Sequence, residues 1–141
     1  MTLSQVYPLT GAVVVTTPQD IALIDAKKGL KMFEKVNVPL LGIVENMSVF
    51  ICPCCGEVTH IFGEGGAKRM SEQYGVPMLG ELPLSPAIRE AADSGRPTVA
   101  AEPESAAAKM YRAIAMKIAG SIAKLGKDYT ARMPTISVKN D

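Results

Sequence analysis

Two uninterrupted apolar runs, Gly11-Ala12-Val13-Val14-Val15-Thr16 and Leu40-Leu41-Gly42-Ile43-Val44, constrain the fold of this chain more than any other feature. Neither alternates apolar with polar residues, as a strand with one wet face would. Both are short and the first is β-branched, so they read as strands buried on both faces, as in a parallel sheet covered by helices. Between them, Leu23, Ala26, Leu30 and Phe33 recur at helical spacing, a better apolar stripe than Ile21, Ile24 and Lys28. Thr17 is placed to cap this helix, with Pro18 at its first position and Asp20 where a capping-box acid belongs. Asn37-Val38-Pro39 ends it.

The remainder continues the alternation. A helix is expected from Ala67 to Tyr74, stopped by Gly75 and Pro77, then a strand from Val76 to Leu82. Ser85-Pro86 opens a helix through Ala92, and Ser94-Gly95-Arg96-Pro97 breaks the chain. A long helix is predicted over 104–125, with Met110, Ile114, Ile118, Ile122 and Leu125 on its apolar face. Met70 and Met110 read as core. The expected fold class is α/β, a mostly parallel sheet with right-handed crossovers and a domain over 1–127. Three strands make a small sheet, one edge of which is left open. Residues 128–141 read as a flexible tail.

Every cysteine falls within Cys52-Pro53-Cys54-Cys55, in a loop beyond the second strand. Open α/β sheets bind ligands just past the C-terminal ends of their strands. The C-x-x-C spacing lets Cys52 and Cys55 converge on one metal ion or iron–sulfur cluster, but a closed site wants four ligands, so the chain holds half of one. A zinc knuckle recruiting His60 is an alternative, as is a thioredoxin-like redox pair. The redox pair needs the thiols at a helix N-terminus, whereas Gly56-Glu57-Val58-Thr59 reads as turn then strand. Adjacent side chains diverge, so Cys54 reads as an exposed bystander, and His60 outside a zinc site as a solvated loop residue.

Composition narrows the function classes. A formal charge of +1 with no dense basic run gives no nucleic-acid surface. No stretch approaches the roughly 18 uninterrupted apolar residues of a membrane span. Met1–Thr10 lacks the basic start and apolar core of a signal peptide. Three clustered cysteines suit a reducing compartment, hence a cytoplasmic expectation. With a single histidine and no Ser/His/Asp set or carboxylate pair, acid–base catalysis has few candidates. There is also no G-x-x-x-x-G-K-[ST] phosphate loop.

Five ordered motifs carry a resemblance: Gly11–Asp20, Gly42-Ile43-Val44-Glu45-Asn46-Met47, Cys52-Pro53-x-Cys55-Gly56, Ile61-Phe62-Gly63-x-Gly65-Gly66-Ala67 and Leu79-Gly80-x-Leu82-Pro83-Leu84. Over residues 2–125 the chain resembles the Mrp/ApbC family of iron–sulfur cluster carrier ATPases, P-loop proteins related to MinD and the nitrogenase iron protein. The resemblance implies a partial three-layer P-loop NTPase fold, with the N-terminal half and its Walker A loop absent. Thr2-Leu3-Ser4-Gln5 would end the helix after the family's acidic switch.

For the sites, the resemblance implies that Cys52 and Cys55 from each of two subunits bridge a [4Fe–4S] cluster in a homodimer. That cluster would pass to apo iron–sulfur proteins. It also implies ATP and Mg in the intact family, with Asn46 reading the adenine edge and Pro83, within Leu82-Pro83-Leu84, bordering the base. Asn46 stabilising its own turn is the plainer alternative. Without the phosphate loop this chain is not expected to hydrolyse ATP alone. A structural zinc dimer without cluster transfer, or a non-functional truncated product, remains the competing reading.

Overall fold

A computed structural model describes residues 7–126. Three strands form a parallel sheet in the order β1 (Ala12–Thr16), β2 (Leu40–Glu45) and β5 (Met78–Glu81). Strands β3 (Phe50–Ile51) and β4 (Val58–Thr59) make a separate antiparallel hairpin. The helices are α1 (Asp20–Lys35), α2 (Gly66–Tyr74), α3 (Pro86–Asp93), α4 (Thr98–Ala101) and α5 (Ala106–Lys124). The expected helix end at Thr2–Gln5 and the expected tail over 128–141 lie outside the described residues.

Side chains of successive strand residues point to opposite faces, so each apolar run supplies two cores. Val14 and Ile43 pack with Leu23, Ala26 and Leu30 of α1 and Ala67 and Met70 of α2. On the other face, Val44, Leu79 and Leu82 pack against Ile114 of α5, with Val13, Tyr111 and Ile118 around them. The result is three layers, helices–sheet–helix, with β2 at the centre.

Gly42 fixes how closely β2 and β5 approach. A Cβ there would run into the Leu79 side chain and lie 2.7 Å from the Pro77 carbonyl oxygen. The pairing register shifts beside this point, between Ile43 and Val44 of β2 against β5 and between Ala12 and Val13 of β1 against β2. A glycine inside a strand marks such an approach of backbones.

Three expectations are corrected. The first helix is capped at Gln19, not Thr17, so Pro18 precedes it. The Thr17 hydroxyl bonds the Gln19 side-chain oxygen, and no side chain caps the helix. The last helix begins at Ala106, where the Ser105 hydroxyl accepts the Ala108 N–H at 3.1 Å. Ala108 and Ile114 are buried and Tyr111 and Ile118 partly so, while Met110 and Ile122 stay 40% and 41% exposed. A stripe stepping by four residues drifts about 40° per step on a helix of 3.6 residues per turn, so it leaves the contact at both ends. Met70 is core as expected.

Gly42→Ala is expected to lower unfolding free energy by roughly 1–3 kcal/mol, the cost of overpacking a closed site. Urea denaturation measures it, and an unchanged midpoint would show that β2 and β5 can separate at no cost.

Candidate functional site

The site grows from the C-terminal end of β2. Glu45 is only 2% exposed, and its Oε2 accepts the Ala67 N–H at 2.7 Å. This places a carboxylate at the N-terminus of α2, where backbone N–H groups lack helical partners and the dipole favours negative charge. Gly66 must be small there: a Cβ would lie 2.7 Å from Leu23 and 2.8 Å from the Pro18 carbonyl oxygen. Sequence reasoning passed over Glu45. A lone carboxylate closing an apolar strand was the available signal.

Asn46 continues the ladder, its N–H donating to the Thr16 carbonyl at 2.7 Å. Its side-chain Oδ1 accepts the Met47 N–H at 2.9 Å, and Met47 takes a left-handed φ of 55°. The turn-stabilising role expected as the plainer alternative is therefore present. The side-chain amide N–H₂ and a second oxygen lone pair remain for a ligand.

Ser48 donates both its N–H and its hydroxyl to the Leu82 carbonyl, at 3.0 and 3.1 Å. Leu84 N–H donates to Val49 at 2.8 Å, and Phe50 bridges Leu84 in parallel. Residues 48–50 thus zip along 82–84, and the β3–β4 hairpin projects from this zipper. The hairpin was legible only in part, since Val58-Thr59 reads as strand but Phe50-Ile51 does not stand out.

The cysteines occupy the hairpin turn. Cys52 N–H donates to the Glu57 carbonyl at 2.9 Å, and Gly56 N–H returns to the Cys52 carbonyl at 2.8 Å. Gly56 permits that return with a φ of 74°. Cys52 is half-buried, while Cys54 and Cys55 are exposed. The Cys55 and then the Cys54 backbone N–H groups, followed by the Cys55 thiol, hydrogen-bond the Cys52 sulfur and hold its pKa below the ordinary thiol value. Such a nest of donors stabilises a thiolate. The turn therefore brings Cys52 and Cys55 together as a pair of soft donors.

His60 does not join them. Its Nδ1 lies 3.2 Å from the Ser48 carbonyl oxygen and its Nε2 3.9 Å from the Glu64 carboxylate. It is an exposed loop residue, as expected, with the Ser48 contact tying its ring to the start of the zipper. Among the described residues no three His, Cys, Asp or Glu side chains converge to hold a metal ion. The donor set fits two ligands of a shared site.

Pro83 lies on the wall of a cleft of about 550 Å³ between the hairpin, α3, α4 and the start of α5. Asn46 is not part of that wall, although the zipper sets its strand beside the Pro83 segment.

The profile of the ParA family, described as NUBPL iron-transfer P-loop NTPase, matches residues 1–119. The chain belongs to this family. An iron–sulfur cluster carrier protein of Escherichia coli K12 is 57% identical over 122 residues, covering 86% of this chain but 33% of that protein. A nucleotide-binding protein of Archaeoglobus fulgidus in complex with ADP matches with a TM-score of 0.56 and 38% identity, over 68% of this chain and 38% of that one. The cell division ATPase MinD of Pyrococcus furiosus gives a TM-score of 0.62 and 31% identity, over 79% of this chain and 43% of that one. The fold is thus part of the MinD-like P-loop NTPase fold, and the chain spans well under half the length of these relatives. Among the described residues no helix is long and apolar enough to cross a membrane.

Glu45→Ala should cost roughly 1–3 kcal/mol of stability, the price of leaving the buried Ala67 N–H unpaired, with Glu45→Gln costing less. Paired urea titrations test this, and equal losses for both variants would contradict it. Because its pKa is lowered by the folded turn, Cys52 should reach half-maximal alkylation by iodoacetamide at a lower pH in the folded chain than in the same chain unfolded in urea. Mass spectrometric mapping across a pH series measures this, and an equal or higher midpoint in the folded chain would overturn the nest assignment.

Proposed function

We propose that this chain is the cluster-holding part of an iron–sulfur carrier. Cys52 and Cys55 from two copies together bind a [4Fe–4S] cluster as cargo and release it to apo iron–sulfur proteins. The observation that carries the reading is the Cys52–Cys55 pair at the hairpin turn, in a chain of an iron-transfer family, with no set of three His, Cys, Asp or Glu side chains converging on a metal site among the described residues. Two such turns related by a two-fold axis supply four thiolates. The cross-strand pair Ile51 and Val58 is exposed beside the turn, an apolar surface suited to a second copy.

Transfer is ligand exchange. Each Fe–S(Cys) bond broken here is replaced by a bond to a thiolate of the recipient, whose proton is released as the freed Cys52 or Cys55 takes one up. A thiolate stabilised by backbone donors is also a better leaving ligand than a basic one, which suits a carrier over a permanent holder. The cytoplasm, where thiols stay reduced, fits this chemistry.

Nucleotide enters at the same end of the sheet. The side-chain amide of Asn46 would read the adenine edge and Pro83 would border the base; the Archaeoglobus relative, a nucleotide-binding protein in complex with ADP, supports a nucleotide as ligand. The chain itself has no phosphate loop, so ATP and Mg binding and hydrolysis draw on groups beyond its own residues. We assign the carrier part to residues 1–127.

Anaerobic reconstitution with iron and sulfide tests the reading. About four irons and four sulfides per dimer are expected, set by the cluster's ligand count, on one size-exclusion peak. They should be lost in Cys52→Ala and Cys55→Ala and kept in Cys54→Ala. Zinc without sulfide would instead favour a structural zinc dimer, and no metal on a monomer would sink both.

A further inference from the structure

The cleft on which Pro83 lies is walled on one side by the cysteine hairpin itself. Ile51 and Pro53 line it, and they flank Cys52 directly in the chain. Consecutive Cα atoms lie about 3.8 Å apart, so whatever sits in the cleft rests one residue away from Cys52 on both sides. The opposite wall is the body of the fold, with Leu84 from the β5–α3 link, Ile88 from α3 and Ala107 from the first turn of α5. The hairpin stem is pinned to that body by the Leu84–Val49 hydrogen bond and the Phe50–Leu84 bridge. The cleft measures about 550 Å³, which seats several side chains of an extended segment.

Its chemistry selects among occupants. Walls of proline and aliphatic side chains take apolar groups. The only ionisable residues on the wall are Glu90 and Glu102. Glu90 meets Arg89 Nη2 at 3.2 Å on the surface, whereas Glu102 has no ion-pair partner among the described residues. The wall thus favours a cation beside an apolar group and repels anions, phosphate among them. The hairpin of a second copy is a poor match, since residues 50–60 carry Glu57 and neither lysine nor arginine.

We propose that this cleft is where the recipient of the cargo docks, and that it takes an extended apolar segment bearing lysine or arginine close to the recipient's own acceptor cysteine. This step rests on the carrier reading above. Exchanging a bond to Cys52 or Cys55 for one to a recipient thiolate requires the two sets of sulfurs to meet. A segment seated against Ile51 and Pro53 brings its cysteine to them with the hairpin as it stands. Glu102 is then a specificity-determining residue, sorting recipients by charge and taking no part in the exchange. Complementary charge at a rim acts chiefly on the rate of encounter, so the selection shows in reaction at low concentration.

Thiol–disulfide exchange on the full chain with Cys54→Ala, free of iron, reads docking apart from cluster chemistry. The probes are Leu-Lys-Leu-Lys-Gly-Cys, Leu-Glu-Leu-Glu-Gly-Cys and Gly-Lys-Gly-Lys-Gly-Cys, blocked at both ends, each with thionitrobenzoate in disulfide linkage on its cysteine. A Cys52 or Cys55 thiolate attacks the peptide sulfur, a protein–peptide disulfide forms, and thionitrobenzoate leaves as the coloured thiolate. Iodoacetamide, which is uncharged, corrects for any change in thiol reactivity. At low ionic strength the leucine–lysine peptide should react on the order of 5-fold faster than the glutamate peptide, the reach of two exposed ion pairs, and salt should erase the difference. Glu90→Lys with Glu102→Lys should reverse the preference, and Glu57→Gln on the hairpin should leave it in place. Ala107→Trp and Ala101→Phe fill the cleft from α5 and α4, and thermal unfolding selects whichever is folded. The filled variant should lose the advantage of the leucine–lysine peptide over the glycine–lysine one.

Equal rates for the lysine and glutamate peptides, or a preference that survives in the Glu90/Glu102 double variant, overturn the proposal. A size-exclusion shift to monomer on filling overturns it in favour of a second copy, and slowing of all three peptides by adenosine in favour of a base. Failed docking with cluster assembly intact sinks this step alone. Docking intact with no cluster on reconstitution sinks the carrier reading and leaves the cleft a peptide site.

Discussion

The hydrogen bond from Ala67 N–H to the buried Glu45 carboxylate closes the part of the chain that matters most. The excursion bearing the cysteines leaves the sheet immediately after Glu45 and re-enters the fold at α2, which begins at Gly66. Its two ends are thus held by one residue, across 22 positions of sequence. Closing a loop of that length costs chain entropy that grows only slowly with length, so one strong contact at its base goes far. A charge-assisted bond is about twice as strong as a neutral one, and a helix N-terminus is where a buried carboxylate finds unpaired donors. Without it the Ala67 N–H would be left unpaired, and α2 would be held on the sheet by the packing of Ala67 and Met70.

The placement of everything else follows from strand direction. All three strands of the sheet run parallel, so Thr16, Glu45 and Glu81 finish side by side at one rim. Asn46 and Pro83 are the next groups beyond that rim, and the hairpin is built over it. Ligand sites gather at such rims because loops there can vary without disturbing the covered sheet. On the proposed reading the rim carries two kinds of chemistry at once, amide and proline surfaces for a base and thiols for iron. The short zipper of residues 48–50 on 82–84 joins them, so neither can shift far without the other.

Much of this was legible in the sequence, for reasons that can be stated residue by residue. The runs at Val13–Val15 and Leu41–Val44 read correctly as parallel strands, but only the second is covered on both faces; the first is the edge strand β1, where Val15 stays 61% exposed. The α1 face of Leu23, Ala26 and Leu30 was plain because three turns of helix outvote any local choice. The cysteine turn was plain from spacing and a following glycine. What failed depended on competition between nearby options. Thr17 has good capping chemistry, yet its hydroxyl found the Gln19 side chain first. Met110 and Ile122 are apolar and correctly spaced by fours, yet the helix turns them off the sheet. Phe50-Ile51 is too short to show a period, and α4 is a single turn. The cleft was invisible because it is formed by segments far apart in sequence, Pro53 against Ala107.

The division of ligands has a thermodynamic consequence on the proposed reading. A site closed within one chain binds its metal with an affinity independent of protein concentration, and such sites tend to hold what they bind. A site divided between two copies gains its last two ligands only by association, so cargo affinity and dimer affinity are linked by mass action. A recipient with several thiolates already arranged then competes against a donor that must keep two molecules together. On that reading the exposed Ile51–Val58 pair would tune the contest, because a larger apolar contact between copies would hold the cargo longer and a smaller one would release it sooner.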